Sequence, residues 1–306
     1  MTATTAAWAQ QPERSNLFWM RLMQRIALGL GWHVAHALLH PITLFFMTTA
    51  ARRQREGARR YLTRALGRAP SWREQFRLYF AFASCMLDRV YLLTGRTEGY
   101  DIAIEGLDQL DARVKEGRGV VLLGAHFGNF DALRSIAGED SPVEIRVLMH
   151  ADNAANANAF YNALDPTRAS AIIVLNRPES MLAAKECLDR GGMLGMLGDR
   201  AARDERMVPV PLLGAPAMLP AGPMQLAAVL GAPVVLCAGF WLGPRRYRLV
   251  FEPFADRIVL DRARREEALT EWLARYAQWV ERSCRAYPYN WFNFFDVWQE
   301  LPEATP

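Results

Sequence analysis

Short apolar runs alternate with helical stretches along most of the chain after Gly95. Continuous apolar runs bounded by glycine are typical of buried strands, and apolar positions three and four residues apart are typical of helices. The predicted strands cover 119–125, 143–150, 171–175 and 193–197, and the predicted helices cover 128–137, 153–164 and 179–190. This alternation indicates βαβ units, and therefore an α/β fold with a mostly parallel central sheet flanked by helices.

In the last third of the chain, the pattern predicts a different succession of strands and helices. Strands are predicted at 208–213, 233–241 and 246–251, and helices at 220–231 and 264–285. The turn Leu242-Gly243-Pro244 separates the last two strands, so we expect them to be antiparallel. The tail YPYNWFNFFDVW is heavily aromatic, and we expect it to pack onto the domain or at a membrane interface.

A segment without Asp, Glu, Lys or Arg, residues 26–50, lies near the N-terminus and is followed by an arginine-rich segment, residues 51–68. About 20 apolar residues suffice to span a bilayer, but Pro41 and three histidines interrupt this run. Clustered arginine suits the anionic cytoplasmic leaflet. Because Arg21 and Arg25 lie on the other side, we expect a monotopic helix in the membrane surface rather than a spanning one. A buried core helix followed by a solvated basic helix is the alternative.

These patterns divide the chain into an N-terminal membrane-associated helical region, residues 1–95, and an α/β catalytic domain, residues 96–306. The first region also contains a predicted helix over 72–93. His33, His36 and His40 would share one helical face. Since further metal ligands are not nearby in the sequence, we predict no metal site and expect an interfacial role for these histidines.

Composition narrows the function classes. Apolar residues make up 51% of the chain and charged residues 22%, a balance that argues against disorder. The net charge of +4 allows binding to nucleic acid, anionic lipid or an acidic carrier. Nucleic acid fits poorly, because the arginines cluster beside the apolar segment. The four cysteines are far apart and form no CxxC pair, which favours a reducing cytosolic setting.

His126 is the strongest candidate for chemistry. It follows the predicted strand 119–125 directly, in the run GAHFGNFD, and ligands of α/β sheets bind at strand ends. Asp131 follows after a turn allowed by Gly128 and Asn129, so its carboxylate can return to the imidazole. Such a carboxylate keeps one ring nitrogen protonated and leaves the other able to accept a proton, which makes His126 a general base for an alcohol. A core histidine beside a helix-capping aspartate is the alternative.

Three stretches together resemble a known family. GAHFGNFD resembles the His-x4-Asp motif of the glycerolipid acyltransferase superfamily, and is most similar to its lipid A biosynthesis late acyltransferase branch. LGDRAARDE (197–205) resembles the acid-rich second block of that branch. Residues 208–235 resemble its stretch of a short strand, a glycine turn, prolines and a helix ending in GAP. The order and spacing agree over nearly the whole chain, so we identify it as a divergent member of this family.

The resemblance implies transfer of a fatty acyl group from a thioester, on acyl carrier protein more than on coenzyme A, to a hydroxyl of a lipid or glycolipid. It implies no resident cofactor, a location on the cytoplasmic face of the inner membrane, and direct transfer without an acyl-enzyme. His126 would take the acceptor proton and Asp131 would orient His126. The predicted substrate-binding set contains Asn129, which would brace the turn, Asp199, which would organise the site, and Arg200, which would stabilise the tetrahedral intermediate. Simple turn chemistry is the alternative for Asn129, and a capping or salt-bridge role is the alternative for Asp199.

Some features depart from the family or point elsewhere. The FPEGTR block of the phosphatidic-acid-forming members is absent, and the segment after His150 is poor in basic residues, so the acceptor stays open between lipid A and another envelope lipid. The chain has no GxSxG elbow, which disfavours a serine hydrolase, and no P-loop or dinucleotide glycine motif. A catalytically degenerate membrane-associated scaffold of a lipid-biosynthesis complex remains the alternative.

Overall fold

A mostly parallel β-sheet lies at the centre of the computed structural model, which describes residues 25–132, 143–150, 171–175, 177–201 and 205–298. The described strands are β1 (Asp101–Glu105), β2 (Val120–Gly128), β3 (Ile145–Met149), β4 (Ile172–Val174), β5 (Met193–Leu197), β6 (Met207–Leu212), β7 (Ala215–Pro220), β8 (Val234–Gly243) and β9 (Arg246–Ala255). Seven of them form one sheet in the order β1-β9-β8-β2-β5-β3-β4. Pairing is parallel from β8 to β4, β9 is antiparallel to β8, and β1 is parallel to β9. The predicted α/β class and the antiparallel pair are confirmed.

Helices pack around this sheet. The described helices are α1 (Trp32–Thr49), α2 (Arg52–Leu66), α3 (Trp72–Leu93), α4 (Leu107–Lys115), α5 (Pro178–Asp189), α6 (Gly222–Leu230) and α7 (Arg265–Ala286). The bounds of α3, α5 and α7 agree with the prediction within one residue. Helix α3 begins at Trp72 because Ser71 and Glu74 cap each other's backbone N–H groups. The predicted helix over 153–164, and all but the first residues of the one over 128–137, lie outside the described residues.

The hairpin of β6 and β7 corrects one expectation. The sequence predicted a single strand, a glycine turn and prolines leading into a helix, but residues 215–220 form a second strand antiparallel to the first. In β6, Pro209 and Pro211 alternate with buried Val208, Val210 and Leu212. Proline is tolerated here because the hairpin forms its own two-stranded sheet with open edges. The strand that was missed, β7, is interrupted by Pro216 and Pro220.

The N-terminal helices differ in how they join the core. Side chains of α2 and α3, such as Tyr61, Leu62 and Leu78, belong to the same buried core as the sheet. Helix α1 instead packs on α3 through a smaller cluster that includes Trp32, Ala35 and Leu39. Among the described helices, none alone has the length and apolarity to cross a membrane; α1 and α2 meet that test only as a pair bent by 106°. The division of the chain at residue 95 stays a prediction.

A buried carboxylate attaches α1 to the rest of the fold. Asp88 of α3 accepts hydrogen bonds from Trp32 Nε1 (2.8 Å), Tyr100 Oη (2.8 Å) and Tyr247 Oη (2.8 Å). Burial raises the pKa of Asp88, although these three donors oppose the shift. The cluster fixes α1 against α3 and β9, so the apolar N-terminal helix has a set position relative to the sheet.

Candidate active site at the ends of two parallel strands

His126 and Asp199 meet where two neighbouring strands end. Strands β2 and β5 are parallel partners, and their last paired residues are Gly124 and Leu197. His126 and Asp199 each lie two residues beyond that pair, so equal progress along parallel strands brings them side by side. Gly198 N donates to Gly124 O (2.9 Å) and holds the two chains together at this point. The site therefore lies at the carboxyl edge of the sheet, where ligands of α/β folds bind.

A bulge in β2 directs His126 out of the sheet. On the β8 side, the register advances from Gly124 to Gly128 on β2 but only from Cys237 to Gly239 on β8. The additional residues interrupt the ladder, and bulges of this kind often re-aim a side chain beside an active site. The backbone N–H of His126 donates to Asp199 Oδ2 (3.0 Å) rather than to a neighbouring strand.

The imidazole and the Asp199 carboxylate form a tight pair. His126 Nδ1 lies 2.7 Å from Asp199 Oδ1. Because an ionised carboxylate only accepts hydrogen bonds, Nδ1 carries the proton and donates, and in the neutral ring Nε2 carries the lone pair. The Asp199 side chain is 0% exposed, whereas that of His126 is 27% exposed. The His126 base is therefore accessible from solvent, whereas the Asp199 carboxylate that holds it is not.

Asp199 stays ionised in spite of its burial. Burial alone would raise its pKa, but the charge and hydrogen bonds of His126 and the nearby Arg200 guanidinium outweigh that effect and hold the pKa of Asp199 at about 2. Two side chains from the end of the chain also donate to Oδ2: Trp291 Nε1 at 2.8 Å and Asn293 Nδ2 at 3.3 Å. Asp199 is therefore a carboxylate beside the charged imidazolium, and its negative charge stabilises that form.

Asp131 lies just beyond the same turn and is buried, with 4% of its side chain exposed. Its carboxylate forms an ion pair with Arg89 of α3. The sequence assigned the orienting role to Asp131, but the carboxylate hydrogen-bonded to Nδ1 of His126 is that of Asp199. The catalytic role predicted for Asp131 stays a prediction.

Asn129 braces the turn between His126 and Asp131. Its Oδ1 accepts the backbone N–H of Asp131 (3.0 Å), and its Nδ2 donates to Cys85 O of α3 (3.3 Å). The residue is 2% exposed, so these contacts face the protein interior. The first of these contacts is ordinary turn chemistry, so the bracing and substrate-binding roles predicted for Asn129 stay predictions.

The turn itself depends on Gly128. Its φ is +51°, which favours glycine, and a Cβ there would lie 2.0 Å from Gly239 O. Asn129 N donates to the same carbonyl oxygen (2.9 Å). Only glycine lets β2 turn this close to β8 and so place Asn129 and Asp131 behind the imidazole.

Arg200 follows Asp199 and is tied to the end of the chain. Its Nε donates to Asn293 Oδ1 (2.8 Å), another guanidinium nitrogen donates to Phe292 O, and the guanidinium lies 5.6 Å from the Phe295 ring centroid. Its charge also helps to lower the pKa of Asp199. The role predicted for Arg200 on the tetrahedral intermediate stays a prediction.

Comparison with known protein families gives one match that covers most of the chain. Residues 13–300 match the family described as bacterial lipid A biosynthesis acyltransferase. The chain belongs to this family. No curated protein matches the chain. The family predicted from the three sequence stretches is confirmed, and membership supports an enzyme that transfers an acyl group to a lipid acceptor.

In this member of the lipid A acyltransferase family, sequence reasoning missed part of the site. Trp291 and Asn293 lie 92 and 94 residues after Asp199, inside a stretch that the sequence indicated only as an aromatic tail. That tail packs onto the domain, since Trp291 and Phe292 are buried. The one available signal was the pair of asparagines, Asn290 and Asn293, among aromatic residues, because buried asparagines need partners. Arg89, the partner of Asp131, had no signal beyond its place on a helix.

Proposed function

We propose that this lipid A acyltransferase family member moves a fatty acyl group from a thioester, preferably on acyl carrier protein, to a hydroxyl of a lipid or glycolipid at the cytoplasmic face of the inner membrane. The observation that carries the proposal is the His126 imidazole, part-exposed and fixed through Nδ1 by a buried, ionised Asp199. Family membership supplies the reaction class.

In the proposed reaction, Nε2 of His126 takes the proton of the acceptor hydroxyl as the oxygen attacks the thioester carbonyl carbon. The tetrahedral intermediate collapses by breaking the carbon–sulfur bond, and the imidazolium returns the proton to the leaving thiolate. The products are an ester and a free thiol, so protons and electrons balance without any cofactor. Asp199 stabilises the imidazolium in between, as the carboxylate of a catalytic triad does.

Asp131 and Arg200 have supporting roles in this proposal. Asp131, which is buried and paired with the part-exposed Arg89, supports the turn that carries His126. The Arg200 guanidinium supplies positive charge beside the site for the oxyanion of the intermediate. Preorganised charge of this kind is the largest single contribution in many acyl-transfer enzymes.

The surface of α2 supports an acidic donor. Arg52, Arg55 and Arg59 line a shallow depression together with Glu56 and Gln75. A patch of this charge attracts an acidic carrier protein over a distance of about 10 Å at moderate salt. Coenzyme A is also anionic but much smaller, so it gains less from an extended basic surface.

A comparison of donors tests the function. The purified protein is incubated with the same radiolabelled acyl chain on acyl carrier protein or on coenzyme A, with a lipid A precursor or a bacterial lipid extract as acceptor. We expect a new lipid ester, a higher kcat/KM with the carrier donor, and a carrier KM that rises with salt more steeply than the coenzyme A KM. Consumption of no donor would instead favour the catalytically inactive scaffold, and donor hydrolysis without ester formation would point to a thioesterase.

The outer face of α1 supports attachment to a membrane surface. This helix packs inward through Trp32, Ala35 and Leu39, whereas Phe45 and Phe46 near its C-terminal end are 61% and 52% exposed. Other large apolar side chains on or beside α1 are exposed as well, namely Leu30, Val34, Leu38 and Leu44. An apolar helical face followed at once by arginines is typical of a helix lying in an anionic membrane surface.

Exchange of Phe45 and Phe46 for serine tests the attachment. Burying one phenylalanine side chain away from water is worth about 1.5–3 kcal/mol, so we expect the double variant to bind vesicles containing anionic phospholipid at least tenfold more weakly in a flotation assay. Val229→Ser in α6 removes an equally exposed apolar side chain (72%) and serves as the control. Equal binding by the wild type and the double variant would contradict attachment through α1.

A further inference from the structure

The end of the chain is built into the site as an additional, very short strand. Gly128 N donates to Asn290 O (2.9 Å) and Phe292 N donates to His126 O (2.9 Å), with Phe127 and Trp291 as an antiparallel bridge pair. These hydrogen bonds lie where the bulge has separated β2 from β8. Residues 290–293, called here the closing segment, therefore take the place of a ladder partner along the bulged end of β2.

The closing segment is fixed from behind. The Asn290 side chain forms hydrogen bonds with both backbone polar groups of Trp241. Its Oδ1 accepts from Trp241 N (2.6 Å), and its Nδ2 donates to Trp241 O (3.1 Å). The Trp291 ring is 0% exposed and packs edge-on against Tyr61 of α2, with ring centroids 5.0 Å apart. With its ring held in this way, the indole N–H of Trp291 points at one acceptor, Asp199 Oδ2.

The two carboxylate oxygens of Asp199 therefore have different hydrogen-bond partners. Three described donors converge on Oδ2, namely His126 N, Trp291 Nε1 and Asn293 Nδ2. Oδ1 faces His126 Nδ1 at 2.7 Å. A carboxylate with one oxygen held by donors cannot rotate, so its other oxygen keeps a fixed direction toward the imidazole.

We propose that Trp291 and Asn293 are positioning residues for the acyl transfer, which lock the Asp199 carboxylate so that its Oδ1 fixes the tautomer and the direction of the His126 ring. This inference rests on the proposed function, because it concerns the same proton transfer. It assigns a catalytic purpose to the tail of the chain, which is more than 160 residues from His126 in sequence. Both residues act through Asp199, because their N–H groups donate to its Oδ2.

A matched pair of tryptophan variants tests the proposal. Trp291→Phe removes the N–H donor on Asp199 and keeps most of the ring. Trp298→Phe makes the same change at a buried tryptophan (6% exposed) whose Nε1 donates to a backbone carbonyl, Leu212 O (3.0 Å). Because a hydrogen bond to a charged group contributes more than one to a neutral group, we expect Trp291→Phe to lower kcat about tenfold with KM unchanged, and Trp298→Phe to lower it less than about twofold.

A double-variant cycle separates positioning from a general loss of structure. If Trp291 acts through the carboxylate, adding Trp291→Phe to Asp199→Asn costs little further activity, whereas two independent defects would multiply. Proton NMR gives a readout that needs no substrate: the downfield resonance of the His126 Nδ1–H should shift in Trp291→Phe and Asn293→Ala but not in Trp298→Phe. Thermal unfolding of all variants shows which of them are folded.

The outcomes are distinct. Equal kcat for the two tryptophan variants, multiplicative effects in the cycle, or an unmoved resonance would overturn the positioning role while leaving acyl transfer intact. A wild type that transfers no acyl group, yet has the shifted resonance in Trp291→Phe, would instead count against the proposed function and keep the geometry of the closing segment.

Discussion

Asp199→Asn is expected to lower kcat for acyl transfer by roughly three to four orders of magnitude, the scale seen when an amide replaces the carboxylate of a catalytic triad. The reason lies in the donors around the side chain. His126 N, Trp291 Nε1 and Asn293 Nδ2 all donate to Oδ2, so the amide oxygen of an asparagine must occupy that position. The amide NH2 group then faces His126 Nδ1, which has to become an acceptor. The ring proton moves to Nε2, and the base is lost.

Kinetics of the variant, with NMR of its histidine nitrogens, measure this effect. Asp88→Asn is the matched control, because Asp88 is also buried and also accepts an indole N–H, from Trp32. We expect Asp88→Asn to lower the thermal stability and to keep kcat within about threefold, since surrounding hydrogen bonds contribute to stability rather than to the reaction. An Asp199→Asn enzyme with near wild-type kcat and an unchanged tautomer would contradict the role assigned to the carboxylate.

The second large effect is expected at His126. A general base contributes roughly two to four orders of magnitude in rate, so His126→Ala should lower kcat/KM by a factor in that range. His33→Ala is the matched control, because it removes an exposed histidine from α1 and leaves the sheet edge untouched. Unfolding of His126→Ala should be followed in parallel, since the substitution leaves the buried Asp199 with one hydrogen bond fewer.

The pH dependence of the wild type follows from the same pair. Asp199 has a pKa of about 2, lower than its ordinary value of 3.8, because the charge and hydrogen bonds of His126 outweigh the effect of burial. For a carboxyl group with a lowered folded-state pKa, the stability it contributes is present above the ordinary value and is lost as the pH falls through the folded value. Because Asp199 has so low a pKa, it adds no second protonation between about pH 5 and 7. The slope of log kcat/KM against pH should therefore not exceed one in that range.

Periodicity predicted the sheet well, because its strands are short apolar runs with little competing signal. The stretch 119–125 became β2 and 193–197 became β5, and glycine at both ends marked their limits. Strands β1 and β7 were not predicted. Strand β1 is short and alternates polar with apolar residues, and β7 is interrupted by Pro216 and Pro220. Local patterns thus identified the elements that bury one continuous apolar run and missed these two, in which the run is broken.

The site was only partly accessible to sequence reasoning. His126 was found because a histidine at the end of a buried strand is unusual. Its hydrogen-bonded partner depended on strand order, since Asp199 reaches Nδ1 only because β5 lies beside β2. The spacing of the motif predicted Asp131, which is near His126 in sequence, and this assignment stays a prediction. The ion pair of Asp131 with Arg89 had no signal in the sequence. Contacts between residues far apart in the chain produce no periodic pattern in the sequence.

The closing segment shows the same difficulty most clearly. The aromatic residues of this segment predicted that it packs onto the domain, and it does. Its role at the site depends on the direction of the Trp291 indole N–H, which no pattern predicted. That direction follows from the Tyr61 contact on α2 and from the bulge in β2, neither of which a single sequence reveals. A buried polar group amid aromatic residues needs a partner, but its identity requires the fold.

The measurement that tests the central claim most directly is the rate of lipid ester formation by His126→Ala, compared with the wild type and His33→Ala at equal folded concentration. We predict that His126→Ala lowers the rate at least about a hundredfold, which is the effect of removing a general base, and that His33→Ala retains full activity. Unchanged ester formation by a folded His126→Ala protein would contradict it.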